Sequence, residues 1–209
     1  MLGFVAGKTL GVARKVTPHV MRMPRKTLRG GGTSMEVYLE VLANAADLME
    51  ASPDGTTAGV VLLAHYYPLN EFYRKKGGGS SSTVLVNDQP IDQSFGFELR
   101  HYVILKQMIE KGFLVVTGSG NGGDSHITGW PASYGKAGIP ATYLPSLLVA
   151  GGVLTGEPDG TRVAIGNAEL AAGLPNIYAP GEGFNAVQGN TNAWGDSYYK
   201  PAKGTSDGK

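Results

Sequence analysis

Apolar residues recur at helical spacing between residues 34 and about 51. Met35, Tyr38, Leu39, Leu42, Ala45, Leu48 and Met49 give one apolar face, the pattern of an amphipathic helix. Thr33 and Glu36 have the spacing of a capping box at its start, and Ser52-Pro53-Asp54-Gly55 ends it. Gly59-Val60-Val61-Leu62-Leu63-Ala64 is a continuous apolar run of strand length, as expected of a strand buried on both faces of a parallel sheet. A second helix is predicted from about residue 95 to 111, with Leu99, Tyr102, Val103, Lys106 and Ile109 on one face. Gly112 then sits where a left-handed C-terminal cap belongs. Phe113-Leu114-Val115-Val116-Thr117 is the next buried strand. Residues 66–93 are polar and irregular, carry Lys75-Lys76-Gly77-Gly78-Gly79 and a serine run, and read as an exposed insertion or loop. Shorter runs predict a strand at 18–23 and further apolar segments at 147–153, 162–165 and 176–179. Helix, strand, helix, strand is the α/β order and predicts a mainly parallel sheet with right-handed crossovers. Ligands in such sheets collect beyond the carboxyl ends of the strands, where Gly118 to Asn121 falls.

Composition narrows the function classes. The 209 residues suit one domain with a sizeable core. Lys and Arg total 18 against 17 Asp and Glu, so the basic excess of a nucleic-acid-binding domain is missing. Cysteine is absent, which removes thiol nucleophiles, disulfides and thiolate metal sites. No apolar run reaches the ~18 residues of a membrane-spanning helix. Residues 1–35 hold no Asp or Glu but seven Lys and Arg. Such a start fits a transit peptide or a basic domain surface; Pro18, Pro24 and Gly30-Gly31-Gly32 interrupt any long helix there. No secretory signal peptide is visible, since Leu2 to Ala6 is too short for its apolar core.

Gly118-Ser119-Gly120-Asn121-Gly122-Gly123 matches the dinucleotide fingerprint after a strand. Turn residues and Pro131 follow it instead of the helix whose amides would meet a pyrophosphate. Gly3 to Thr9 is one residue short of a phosphate loop. The histidines are His19, His65, His101 and His126, with no metal-site spacing among them. His19 and His101 read as structural, on a strand and a helix. His65 follows a buried strand, and His126 lies near Asp124, so an unrelated α/β enzyme using either as base is one open reading. Gly-Thr-Ser occurs at residues 32–34 and 204–206. The first triplet is explained by the helix cap; no helix follows the second.

An ordered set of segments resembles the subtilisin-like serine proteases. Gly7 to Lys15 resembles the stretch after the family's catalytic histidine. Lys111 to Asn121 resembles its helix, strand and Ala-Gly-Asn segment. Trp130-Pro131-Ala132-Ser133-Tyr134 resembles its Pro-Ala segment, and Ile177-Tyr178-Ala179-Pro180-Gly181 its Ala-Pro-Gly strand. Gly204-Thr205-Ser206 follows at the family's serine position. The resemblance covers nearly the whole chain. It implies an incomplete three-layer α/β fold with a mainly parallel sheet between helices. It also implies a serine-type endopeptidase site with a polypeptide substrate or peptide ligand, and no nucleic-acid or membrane partner. Ser206 would be the nucleophile, Asn121 would donate its amide to the oxyanion, and Gly118, Ser119 and Gly120 would line the specificity pocket. In a subtilisin one such donor is worth roughly 3 to 4 kcal/mol.

The family order is Asp, His, Ser. By the resemblance, the histidine would precede Val5 and the aspartate would lie further upstream; neither is in this chain. The helix that follows the family's serine would lie beyond Lys209. A serine without a base is a poor nucleophile, so the chain is expected to be inactive by itself. The alternative is a non-enzymatic protein that keeps the peptide groove. No cofactor is expected; the family often binds calcium, but no Asp-rich oxygen cluster marks a site. Extracellular location follows only from the resemblance. Loss of a strand and of the serine helix would uncover the sheet, which predicts a poorly soluble or partly disordered chain.

Overall fold

A computed structural model describes residues 13, 15–21, 35–50, 59–65, 67–68, 83–86, 89–137, 142–153, 166–187 and 199–203. Helix α1 spans Met35–Glu50 and helix α2 spans Gln93–Glu110. Among the described residues four strands make the parallel sheet: β1 Val60–Leu63, β5 Leu114–Gly118, β7 Leu148–Val153 and β8 Ile177–Pro180. Their spatial order is β1-β5-β7-β8, so sequence order and spatial order agree. Between them lie the short strands β2 Tyr67–Pro68, β3 Thr83–Val86, β4 Gln89–Asp92 and β6 Gly129–Trp130. Strands β9 Glu182–Val187 and β10 Tyr199–Lys203 follow β8. The pairs β2–β6, β3–β4 and β9–β10 are antiparallel.

The register explains the core. Val61 lies beside Val115, Leu63 beside Thr117, and Thr117 beside Val149. Alternation along each strand puts these five side chains on one face. Tyr38, Leu42 and Ala46 of α1, and Phe97, Leu105 and Met108 of α2, join the same core cluster. Both described helices therefore cover that face. Leu105 and Met108 are fully buried, which contributes roughly 2 kcal/mol each. The link from α2 into β5 is a Schellman motif. Gly112 takes φ 85°, its N–H donates to Ile109 O at 2.9 Å, and Phe113 N–H donates to Met108 O at 3.1 Å. Phe113 and Met108, the flanking apolar pair, both enter the core.

The entry of β8 is fixed by one side chain. Asn176 N–H donates to Val149 O at 2.9 Å, while Asn176 Oδ1 accepts Val149 N–H at 2.8 Å. The strand that follows is an edge strand among the described residues, with Ile177 47% and Tyr178 40% exposed.

Both helices and the strands at 60–63 and 114–118 lie where the sequence pattern puts them, and the apolar runs at 147–153 and 176–179 fall on the strands at 148–153 and 177–180. The inward face of α2 does not. Phe97, His101, Leu105 and Met108 are buried, whereas Leu99 and Val103 are 43% and 41% exposed. Apolar residues line both sides of this helix, and the stripe containing His101 is the one that meets α1. The strand expected at 18–23 is not formed over residues 17–21, which are exposed coil. Val20 is 66% exposed, so no apolar face is buried that would stabilise a strand. His19 is thus a coil residue. Within 66–93 the described residues include β2 and the β3–β4 pair, so that stretch is not wholly irregular. Thr33 and the run at 162–165 lie outside the described residues, as do Gly3 to Thr9.

His101 is a buried polar group in an aromatic setting. Its Nε2 lies 3.2 Å from Tyr38 Oη, its ring meets those of Tyr38, Phe97 and Tyr134, and its Nδ1 has no hydrogen-bond partner among the described residues. Burial lowers its pKa to about 3, so the imidazole is neutral at physiological pH. The unfolded chain takes up this proton near pH 6.5 and the folded chain does not. Folding stability is therefore unaffected above pH 6.5 and falls by up to about 1.4 kcal/mol per pH unit between 6.5 and about 3. Urea unfolding across that window is expected to show a shallower pH dependence for His101→Gln than for the parent; equal slopes would exclude a buried neutral imidazole.

Candidate active site

Strand β5 is bonded to β1 on one side and β7 on the other. The ladder continues one residue past the strand, where Ser119 N–H donates to Ala150 O at 2.9 Å. Gly118, Ser119 and Gly120 are all buried, and the chain reaches the surface at Asn121. Gly120 turns it outward with φ 101°, a left-handed conformation that a side chain would disfavour. Ser119 Oγ is fully buried and has no hydrogen-bond partner among the described residues. Asn121, Gly118, Ser119 and Gly120 thus form one continuous exit from the carboxyl end of the sheet. Ser206 lies outside the described residues.

The loop 120–127 is held by the segment 167–169. Asn167 N–H donates to Gly120 O at 3.1 Å, and Ala168 N–H donates to Asp124 O at 2.9 Å. Asp124 N–H donates to Asn167 Oδ1 at 3.2 Å, and Ile127 N–H donates to Glu169 Oε2 at 2.9 Å. Glu169 is also paired with Lys136 at 2.5 Å. Burial pushes its pKa up, but the Lys136 hydrogen bond, the Ile127 N–H and the charges of Lys136 and His126 outweigh this and hold it below 4.5. Lys136 follows the 3-10 turn Ala132–Gly135, which is braced by Ser133 Oγ donating to Gly129 O at 2.9 Å. That turn follows the cis Trp130–Pro131 bond.

The other sequence candidates separate. His65 packs edge-on against Tyr38, with ring centroids 5.4 Å apart. His126 is 72% exposed, and the carboxylate near its Nδ1 is Glu169 at 3.8 Å. The proximity of Asp124 in sequence therefore does not translate into an Asp124–His126 ion pair; Asp124 uses its main chain to bind Asn167 and Ala168. Asn167, Glu169 and Lys136 were not legible as site residues, because their partners are 33 to 47 positions distant in sequence. A polar Asn-x-Glu between two turns was the only local signal. Among the described residues no group of three or more His, Asp or Glu side chains is arranged to hold a metal, and no helix is long and apolar enough to cross a membrane.

Comparison with known proteins bears on the fold. No family model matches the sequence, and no curated protein matches it. Solved structures do match. The prenylagaramide maturation protease PagA is similar over 88% of this chain and 48% of its own, at 14% identity and TM-score 0.50. The S41 psychrophilic protease is similar over 86% of this chain and 47% of its own, at 18% identity and TM-score 0.51. The mainly parallel α/β fold described above is thus subtilisin-like. The chain spans about half the length of these structures.

Two outcomes follow from the tethered loop. A Cβ at Gly122 would stand 3.0 Å from Asn167 Oδ1 and closer still to the Asp124 carboxylate. The exposed Asp124 side chain can swing away, whereas Asn167 is 2% exposed and cannot. Gly122→Ala is expected to lower stability by about 1 kcal/mol, read as the urea midpoint; an unchanged midpoint would contradict the contact. Glu169 has a folded pKa below its unfolded one, so its contribution is complete above pH 4.5 and is lost as pH falls through the folded value. Protection of the Ile127 amide, measured by hydrogen exchange and corrected for intrinsic rate, should fall over that acidic range in the parent. In Glu169→Gln it should not.

Proposed function

We propose that this chain supplies the nucleophile and oxyanion side of a serine-type endopeptidase domain acting on polypeptides. The observation that carries this reading is Asn121, standing where the central strand of a subtilisin-like sheet reaches the surface. Asn121 donates its side-chain amide to the oxyanion of a tetrahedral intermediate. Such a donor accelerates reaction because the charge it meets appears only in the transition state. Gly118, Ser119 and Gly120 border the pocket for the substrate side chain. Ser206 is the attacking hydroxyl.

Attack by a serine needs a base to accept its proton. His101 is buried and bonded to Tyr38, and the resemblance assigns no histidine of this chain to that role. The 209-residue chain by itself therefore binds extended peptide and turns it over negligibly. A fluorogenic peptide and a fluorophosphonate probe test the second half: no hydrolysis and no labelling are expected, and strong labelling at Ser206 would sink it. Titration of the ¹⁵N-labelled chain with an extended peptide tests the first half. Shifts should centre on residues 118–121, and unchanged spectra at millimolar peptide would overturn the reading.

A further inference from the structure

We propose that Asn167 and Glu169 are positioning residues that set the place of Asn121; this rests on the reading of Asn121 as an oxyanion donor. Asn121 stands on a loop, and an oxyanion donor works only if it is oriented before the charge develops. A misplacement of about 1 Å can cost about a hundredfold in rate. Something must fix a surface loop of this kind, and hydrogen bonds from residues 167–169 do so.

Asn121 lies between two anchors, Gly120 and Asp124, and both are held by the same residue. The Asn167 main chain holds Gly120 O, and its side chain holds Asp124 N–H. The Ala168 N–H adds a bond to Asp124 O. Asn167 is 2% exposed, and its Oδ1 approaches the loop where Gly122 lacks a Cβ. The far end of the loop is held by the Glu169 carboxylate through Ile127 N–H. That carboxylate is fixed in turn by Lys136, the two side chains being only 19% and 16% exposed. The four bonds run from one three-residue segment to successive points on the loop, so the loop cannot shift without breaking several at once. Neither Asn167 nor Glu169 has a part in the chemistry; both act through Asn121.

Amide hydrogen exchange and ¹⁵N relaxation on the intact 209-residue chain test this. In Asn167→Ala, amides of residues 121–127 should exchange at least tenfold faster, and the Asn121 side-chain amide should lose order. Amides of β1 and β5 should keep their protection. Glu169→Ala should release the loop near Ile127, whereas Glu169→Gln, which keeps an acceptor for that N–H, should retain the bond. Unchanged exchange over 121–127 in Asn167→Ala would overturn the proposal. So would uniform loss of protection that includes β5, since that is the mark of a merely structural residue. Failure of the functional reading shows elsewhere, as a peptide titration without shifts at 118–121, and leaves the exchange pattern as it is.

Discussion

Strand β5 is the constraint on which the rest depends. It is an interior strand of the parallel sheet, and its backbone groups are bonded on both sides. Its buried Val115 joins the cluster formed with α1 and α2, and its other end leads directly into Ser119, Gly120 and Asn121. The same five residues therefore bear the core at one end and the candidate site at the other. The Schellman cap at Gly112 sets where α2 stops and so where β5 begins. An error in that turn would propagate along the strand to Asn121, because alternation ties each side chain's face to its count from the start.

Much of this arrangement was legible in the chain. The runs at 59–64 and 113–117 are apolar enough to mark interior strands, and Gly112 marks the cap. The exit at Gly118 to Asn121 was readable because its glycines directly follow a strand. The buried face of α2 was not readable, for a definite reason. Its inward stripe contains His101, which counts as polar in any hydropathy pattern, while Leu99 and Val103 on the other side look like core. Contacts with Tyr38, Phe97 and Tyr134 make a histidine the inward residue. The segment around Asn167 was illegible for a related reason. A polar residue that works by bonding a loop 43 positions earlier leaves no periodic trace.

The site joins two kinds of support. Gly118 and Ser119 are held by the sheet, whose ladder extends to Ser119 N–H. From Asn121 onward the ladder is gone, and a second segment takes over with its own hydrogen bonds. The change from one to the other falls at Gly120, the residue with φ 101°. Asn121 thus stands just past the point where the sheet's hydrogen bonds give way to those of residues 167–169.

The reciprocal pair between Asn176 and Val149 has a bearing on how sequence length can vary here. It locks β8 to β7 one residue before β8 begins. Residues added or removed upstream of Asn176 would bulge or tighten the preceding loop and leave the strand in register. One residue added between Asn176 and Ile177 would instead displace Ala179, Pro180 and Gly181 relative to β7. The joint thus acts as a ruler with its zero at Asn176, and tolerance to insertion should change abruptly across that single peptide bond.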